Sequence, residues 1–525
     1  MKKYIIILLS GLGMLSLVTS CKNDLTLAPA SEISSGNFFK TATQFDSYMA
    51  GIHSIFRINT ESYQRLGEMR SDIYGTEPGS NSAFTGEATQ GIENTWNNTL
   101  SDLNAEETNY GYPPNKPYAG GQNNFYYNIG QINLMIANLN STTVVAPATK
   151  SYYLGICYGM RAFHYFQLYR SWGNVPLTTT PITVNIGTLS QIGAQAPAAT
   201  VMTQIKADID QSVTAYAGNY TFMNSKGYWS LPATLMLKAE VYLWTSSHNS
   251  STADATTALN ALNTIQTSVP TLGLLASYPS VFVPTNRGNN EIIFAIHNTY
   301  NEFTMNSWIQ ASFVPQTGLI TSFYDSLQNR QFNATTDNWG GLLRAPIKSS
   351  TYRKFNPLDS RRTASIQACY TKSGTTYTIA GCFVDKFQGE QDGGVRYFTN
   401  DYPIYRYADL LLLKATAEVY LGTSPATEIN LVRARAFGAN YNAATMGYPN
   451  QAVDANPREA ILQERLFEFI FEGKRWYDLR SMGDSYVFEH TTASSANPGF
   501  LLWPIDKQTL INDPQLVQTP GYTSN

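Results

Sequence analysis

The segment of residues 458–480 restricts the fold more than any other, because it places charged and apolar side chains along the same stretch of helix. Its apolar residues recur at steps of three and four, which predicts one buried stripe: Ile461, Leu462, Leu466, Phe469 and Ile470. Glu464, Glu468 and Glu472 recur every four residues and predict an acidic row beside the stripe. Gly473 predicts the end of the helix. A fold that buries the stripe must also satisfy these carboxylates.

The acidic row needs cations opposite it, and this part of the sequence is rich in arginine. We expect the partners to come from Arg433, Arg435, Arg465 and Arg475. A run of carboxylates also admits a catalytic interpretation, because perturbed charge clusters mark some active sites. Structural ion-pair networks perturb the same groups, and we favour that interpretation. The row therefore predicts internal salt bridges.

Amphipathic helical patterns follow one another through much of the chain. Each carries apolar residues on one face at helical spacing, and the clearest are residues 43–57, 125–139, 152–169, 201–216, 231–244 and 402–422. Such helices bury their stripes most simply by stacking in antiparallel pairs. A strict sequence repeat does not accompany the pattern, so periodicity alone does not identify a repeat family.

Two stretches break the helical pattern. Residues 71–121 and 268–399 are rich in Gly, Asn, Ser and Pro, and the second contains a strand-like run at residues 291–297. Loops carried by a rigid scaffold are where binding residues concentrate. We therefore expect these two inserts to form the recognition surface.

The N-terminus has the layout of a bacterial lipoprotein precursor. Lys2 and Lys3 precede an apolar run at residues 4–18, which predicts a signal peptide over residues 1–20. That run is too short to be a comfortable membrane-spanning helix. The following Val-Thr-Ser-Cys sequence resembles a lipobox with Cys21 as the lipidated residue, and acyl chains would hold the protein on a membrane. Ordinary secretion, with Cys21 incidental, is the alternative.

These observations predict a lipidated tether over residues 21–36 and a single body over residues 37–525. Within the body, the helical scaffold is predicted at about 37–70, 122–267 and 400–485, and the inserts cover the ligand side. A net charge of −3, with 14% charged residues, provides no basic field for nucleic acid. We expect no DNA or RNA partner.

The sequence also lacks the common catalytic and metal-binding motifs. It contains no Gly-x-Ser-x-Gly elbow, no His-Glu-x-x-His and no phosphate loop, and no carboxylate pair is singled out for glycoside hydrolysis. We expect a binding protein without a cofactor, not an enzyme. No Cys/His pair has zinc spacing, and Cys157 is expected in the core. Cys369 and Cys382 flank a predicted hairpin, where an oxidising periplasm would permit a disulfide.

Three C-terminal motifs resemble the SusD/RagB family of surface nutrient-binding lipoproteins. They are the Arg-Tyr-Ala-Asp-Leu-Leu-Leu run at residues 406–412, the Asn-Leu-Val-Arg-Ala-Arg-Ala run at 430–436, and the charged helix at 464–479. The Leu-Trp-Pro-Ile run at residues 502–505 and the Thr-Pro-Gly-Tyr run at 519–522 also fit. Weaker matches extend over most of the mature chain.

This resemblance implies a mainly α fold: a tetratricopeptide-like scaffold of helix pairs, with large irregular inserts and a few short strands. It implies capture of oligosaccharides at the outer-membrane surface and delivery to a SusC-type TonB-dependent transporter. Some relatives take peptides, so an oligopeptide-binding lipoprotein is the alternative. The sequence leaves open the identity of the ligand, a bound calcium ion and the stoichiometry with the transporter.

A sugar-binding site needs flat apolar rings and planar polar partners. Trp96 lies in a polar part of the early insert, while Tyr300, Phe303 and Trp308 follow the strand-like run, as binding aromatics do in the resembling family. The remaining predicted site residues are Trp339, Asp72, which matches the family's Ser-Asp, and its neighbours Arg70 and Tyr74. For each, packing between a loop and the body is the alternative. Three other tryptophans lie in fold-defining motifs and are expected in the core: Trp172, Trp476 and Trp503.

Overall fold

The structure, a computed structural model, describes residues 38–77, 81–85, 125–181, 193–450, 452–505 and 507–522. The predicted signal peptide and the whole predicted tether, including Cys21, precede the first described residue. Most of the early insert, including Trp96, also lies outside the described residues. The predictions made for those residues stay predictions.

The N-terminal half of the body is built from long helices. These are α1 (Ala42–Ile58), α2 (Thr60–Glu68), α3 (Phe125–Ser141), α4 (Pro147–Trp172), α5 (Ala198–Tyr216), α6 (Leu231–Asn249) and α7 (Thr252–Ser268). Local sequence sets their starts: Thr41 and Gln44 form a capping box at α1, and Ser230 caps α6. Successive helices from α3 to α7 pack against each other, and α1 packs on α3. The predicted scaffold of paired helices is confirmed.

The second insert combines short helices and strands. Its helices are α8 (Asn306–Ser312), α9 (Thr317–Ile320), α10 (Ser349–Lys354) and α11 (Ser360–Ser365). Its strands are β4 (Tyr324–Asp325), β5 (Arg330–Gln331), β6 (Ile366–Ser373), β7 (Thr376–Val384), β8 (Glu390–Asp392) and β9 (Val395–Tyr397). The first four form a sheet in the order β5-β4-β6-β7, and β8 and β9 form a hairpin. A further two-stranded pairing, β1 (Val175–Pro176) with β2 (Gln195–Ala196), lies between α4 and α5.

One buried strand pair joins this insert to the helical scaffold. Strand β3 (Ile292–Ile296), predicted from the sequence, pairs antiparallel with β10 (Tyr402–Arg406). Every residue of both strands is buried. Helix α12 (Tyr407–Tyr420) begins directly after β10 and packs against α6 and α7. The pairing of β3 with β10 therefore attaches the second insert to the helical scaffold.

The C-terminal part continues the scaffold with α13 (Ala426–Phe437), α14 (Ala443–Met446), α15 (Pro457–Phe469), α16 (Arg475–Met482), α17 (Asp484–His490) and α18 (Lys507–Asn512). The predicted long helix therefore ends at Phe469, earlier than Gly473. Ile470 and Phe471 form a tight turn closed by the Glu472 N–H, which donates to the Phe469 carbonyl at 2.9 Å. Phe471 has a left-handed φ of +67°, which a non-glycine residue adopts only under tertiary constraint.

The acidic row forms a buried ion-pair network, as predicted. Glu464, Glu468 and Glu472 are each at most 4% exposed. Their cationic partners come from distant elements: Arg361 and Arg433 for Glu464, Arg361, Arg406 and Arg435 for Glu468, and Lys386 and Arg406 for Glu472. The structural interpretation of the row accounts for this geometry, because every carboxylate has partners.

Two of the predicted arginine partners bind elsewhere. Arg465 pairs with Asp409 and Asp478, while Arg475 pairs with Asp72. Both lie on other faces of α15 and α16, away from the acidic row. Arg361 and Lys386 replace them; both come from the second insert, whose charges the local sequence did not connect with the row.

A second buried carboxylate fixes the turn after α15. Glu68, at the end of α2, accepts hydrogen bonds from the N–H groups of Phe471 and Gly473, both at 2.7 Å, and from the Tyr74 hydroxyl at 2.8 Å. The approach is close: a Cβ on Gly67 would lie 1.7 Å from the Gly473 carbonyl oxygen. The N-terminal helices and the C-terminal charged region are thereby locked together.

The disulfide allowed by the sequence does not form. Strands β6 and β7 make the predicted hairpin, and their register pairs Cys369 with Gly381 and Ala368 with Cys382. Since adjacent residues on a strand point to opposite faces, the two thiols lie on opposite faces of the hairpin. Both are buried and free, as is Cys157.

Glu68 provides a pH test of this interface. Burial raises the pKa of Glu68 from 4.5 to about 7, so the folded protein binds this proton more tightly than the unfolded chain. Its contribution to stability is therefore greatest below pH 4.5 and is lost as the pH rises through about 7. We predict that the unfolding free energy of the wild type, relative to Glu68→Gln, falls by about 3 kcal/mol over that range. Urea denaturation at several pH values measures this difference; a constant difference contradicts the assignment.

Candidate functional site

Three predicted site residues of the early insert lie in the interior. Arg70 is fully buried over the Trp476 ring, with its guanidinium carbon 4.3 Å from the ring centre. Asp72 accepts hydrogen bonds from Arg475 at 2.8 and 3.0 Å, and these charges lower the pKa of Asp72 far below its ordinary value against the effect of burial. Tyr74 is buried and donates to Glu68. These side chains hold the chain together and do not face a ligand.

Trp308 and Trp339 are also buried, contrary to the expectation of exposed ring faces. Trp308 lies on α8, is 3% exposed and packs against Phe313 and Phe471. Trp339 is 7% exposed, and the Arg396 guanidinium covers its ring at 4.1 Å. The physical reason is that the second insert packs its apolar side chains into the same continuous core as the scaffold. Its tryptophans fill that core. Trp172, Trp476 and Trp503 are buried as expected.

Tyr300 and Phe303 lie together on the turn that follows β3, residues 297–303, here called the 297–303 turn. The N–H of Thr299 donates to the Phe303 carbonyl at 2.9 Å and the N–H of Phe303 donates back at 3.0 Å, which closes the turn. Tyr300 is 47% exposed. Phe303 is half-buried beside Arg57, whose guanidinium carbon lies 5.3 Å from the ring centre. Of the described aromatic candidates, Tyr300 is the one with an exposed ring.

Tyr300 belongs to a cluster of aromatic and polar side chains, here called the Tyr300 platform: the exposed Tyr300 and Asp392 and the half-buried Tyr397. The Tyr300 and Tyr397 rings meet edge to face with centres 4.3 Å apart. A hydrogen bond with Tyr397 is the main cause that raises the pKa of Tyr300 to about 12, and Asp392 contributes in the same direction. An aromatic ring beside a carboxylate is the combination that a sugar's C–H face and hydroxyls require.

The platform is held by the β8–β9 hairpin. Gly393 and Gly394 have φ values of +55° and +79°, as a tight hairpin turn requires. The Asn338 side chain donates to the Gly394 carbonyl at 2.8 Å, and the Arg396 side chain donates to the Asn338 carbonyl at 3.1 Å. These contacts explain why Trp339 is buried: it lies beneath the hairpin that presents Tyr397.

A cavity of about 220 Å³ is lined in part by His297 and Glu302 of the 297–303 turn. Its walls come from α1, β3, the turn itself and the loop before α6, through residues that include His53, Arg57, Tyr228, His297 and Glu302. Gly227 permits this arrangement, because a Cβ there would lie 1.9 Å from the His297 ring. We call this cavity the α1 pocket.

The histidines of the α1 pocket already have partners. His53 bonds to the Met49 carbonyl through Nδ1 at 2.9 Å and accepts from the Trp229 N–H through Nε2 at 3.1 Å. Burial lowers the pKa of His53 to about 4, so its ring is neutral near pH 7. The ring packs at a tilt of 30° against Tyr228, with the ring centres 4.2 Å apart. His297 pairs with Asp401 at 2.7 Å. Neither ring offers a free base for catalysis.

The sequence did not single out Tyr397, Asp392 or the α1 pocket. The Gly-Gly pair at residues 393–394 was a usable signal for a hairpin tip beside a tyrosine. His53 and Arg57 gave no such signal, because on the sequence they look like the polar flank of an amphipathic helix. Only the fold brings them to a turn about 240 residues away, as the Arg57–His297 contact shows.

The described residues contain no group of three or more His, Cys, Asp and Glu side chains placed to hold a metal ion. Among the same residues, no helix has the length and apolar character needed to cross a membrane.

Comparison with known proteins shows the family. A model described as the SusD family matches residues 296–522. The structure of B. fragilis NanU is 40% identical and covers 95% of this chain and 100% of its own, with a TM-score of 0.82. A SusD superfamily protein from Bacteroides vulgatus is 37% identical, with 92% and 100% coverage and a TM-score of 0.79. SusD-like protein P38 of Formosa agariphila is 26% identical over 99% of this chain and 100% of the relative. The chain belongs to the SusD family.

Burial of Trp308 leads to a stability test. We predict that Trp308→Ala lowers the free energy of unfolding by about 3–5 kcal/mol, because it leaves a cavity in the core. Tyr300→Ala, which removes an exposed ring of the same region, should change it by about 0.5 kcal/mol or less. Urea denaturation of both variants measures the difference. Equal stability of the two variants would place Trp308 at the surface.

Proposed function

We propose that this protein is a cell-surface lipoprotein that captures oligosaccharides and delivers them to a SusC-type TonB-dependent transporter of the outer membrane. The observation that carries the ligand class is the Tyr300 platform, in which the exposed Tyr300 ring meets the half-buried Tyr397 ring beside the Asp392 carboxylate. Membership of the SusD family supports the partner and the place of action.

The platform suits a pyranose ring. One face of such a ring consists of C–H bonds, which pack on a flat aromatic side chain that loses little conformational entropy. Its rim of hydroxyls needs planar acceptors and donors, which Asp392 and the exposed Gln391 and Glu390 offer on the same hairpin. Trp96 stays a proposed second ring, from the part of the early insert outside the described residues.

Proteins with the same fold support this ligand class. One structure is described as a laminarin binding SusD-like protein, with 21% identity and a TM-score of 0.66. At that identity the likeness establishes the fold alone, so the extension to oligosaccharides belongs to our proposal. Binding, not catalysis, is the activity that we propose.

Anchoring and delivery complete the proposal. Lipidation of Cys21 would hold the body at the outer-membrane surface, and several acyl chains would make that attachment firm. The transporter would receive the ligand from the body above it. The alternative, an oligopeptide-binding lipoprotein, would need backbone-pairing edges or charged pockets in place of ring platforms.

Isothermal titration calorimetry against matched panels of oligosaccharides and peptides tests the ligand class. We expect heat from at least one oligosaccharide and none from the peptides. Binding of peptides with no response to any glycan would establish the alternative.

The role of the platform is tested by variants of Tyr300. With an oligosaccharide that binds, Tyr300→Ala should weaken affinity by about 1–3 kcal/mol, as loss of a central aromatic anchor does. Tyr300→Phe keeps the ring and should retain most of the affinity. Calorimetry measures both, and unchanged melting temperatures show that the fold is intact. Full affinity in Tyr300→Ala would remove the platform from the site.

A further inference from the structure

Arg57 lies in the wall of the α1 pocket, and not all hydrogen-bond donors of its guanidinium group have an acceptor among the described residues. Its side chain is 13% exposed. Nη2 donates to the Glu302 carboxylate at 2.6 Å, and Nη1 donates to the His297 carbonyl at 3.4 Å. Nε is buried and has no hydrogen-bond acceptor among the described residues. A buried N–H without an acceptor costs free energy, so this atom marks a position where an acceptor is missing.

In other arginines of the same protein, both Nε and Nη2 of the guanidinium group donate to a carboxylate. Arg161 donates to the two oxygens of Asp208 through Nε at 2.8 Å and Nη2 at 2.6 Å. Arg475 binds Asp72 with the same two atoms. This side-on, two-point geometry is the strong form of an arginine–carboxylate pair. At Arg57, Nη2 donates to a carboxylate but Nε has no acceptor among the described residues.

Glu302 is a weakly held counter-ion. Its side chain is 63% exposed at the tip of the 297–303 turn, while its partner is largely buried. An ion pair with so exposed a member contributes little net stability, because water competes for the carboxylate and the side chain loses entropy. Arg57, in contrast, needs an anion, because its charge lies away from bulk water. A carboxylate brought by a ligand would replace Glu302 at small cost.

The space beside Arg57 fits a ring that carries such a carboxylate. The α1 pocket has a volume of about 220 Å³, several times the roughly 30 Å³ that one water molecule occupies in the liquid. The rings of Tyr228 and neutral His53, which pack against each other, contribute apolar ring surface to its wall. Arg57 supplies a positive charge to the lining, and its partner Glu302 is an exposed acid.

We propose that the α1 pocket binds the carboxylate of an acidic sugar residue, with Arg57 as a two-point donor through Nε and Nη2 and Glu302 as the group that the ligand displaces. This inference rests on the proposed function and names a class of ligand for it. The pocket and the Tyr300 platform both contain residues of the 297–303 turn, so one oligosaccharide with an acidic residue would engage both.

Calorimetric titration with D-glucuronate and D-glucose tests the proposal, because the two sugars differ only in a carboxylate or a hydroxymethyl group at the same ring carbon. We expect glucuronate to bind at least about tenfold more tightly than glucose. Arg57→Gln should abolish that preference. Glu302→Gln removes the competing carboxylate and should strengthen glucuronate binding about two- to fivefold, the equivalent of an exposed ion pair.

Asp210→Asn is the matched control, because it removes the exposed carboxylate of an ion pair between Asp210 on α5 and Lys238 on α6, outside the α1 pocket. It should leave glucuronate binding unchanged. Equal binding of the two sugars overturns the inference, and so does weaker glucuronate binding in Glu302→Gln. The Glu302→Gln test remains decisive even where Arg57→Gln fails to fold. If neutral oligosaccharides bind through Tyr300 but the protein does not prefer glucuronate to glucose, the proposal for the α1 pocket alone is refuted. Silence of every sugar would refute the proposed function as well.

Discussion

The whole arrangement depends on one buried guanidinium, that of Arg406 at the end of β10. It has no solvent exposure and binds Glu291, Glu468 and Glu472, which come from the start of β3, from α15 and from the turn after it. Each charge would be costly to bury alone, and removing one partner from such a group is strongly destabilising. The network therefore fixes β3 against the helical scaffold, and with β3 it fixes the turn that carries Tyr300 and borders the α1 pocket.

Much of the scaffold could be predicted from the sequence because its signals are local. Apolar spacing located the long helices, and the acidic row at Glu464, Glu468 and Glu472 indicated a buried network before any partner was known. The end of α15 was predicted too late, because Phe471 adopts a conformation that sequence rules assign to glycine. Its ring packs against Trp308 and Phe313, and its N–H is held by Glu68, so distant contacts fix that conformation.

The site was harder to predict, and the errors have a common cause. A tryptophan in a polar loop looks exposed on the sequence, yet Trp308 and Trp339 pack on residues such as Phe471 and Arg396 that lie far along the chain. The exposure of Tyr300 was predictable, because this residue directly follows a strand whose apolar pattern is local. The surroundings of Arg57 were not predictable, because the α1 pocket exists only after α1 meets a turn from the other half of the protein.

The buried network has a consequence for the conditions under which the body keeps its shape. Mobile ions screen exposed charges over about one Debye length, but they reach buried pairs far less. Arg406 and its carboxylates are entirely shielded from solvent. We therefore expect changes in salinity to weaken these central ion pairs far less than the exposed pairs of the same protein, such as Arg57 with Glu302.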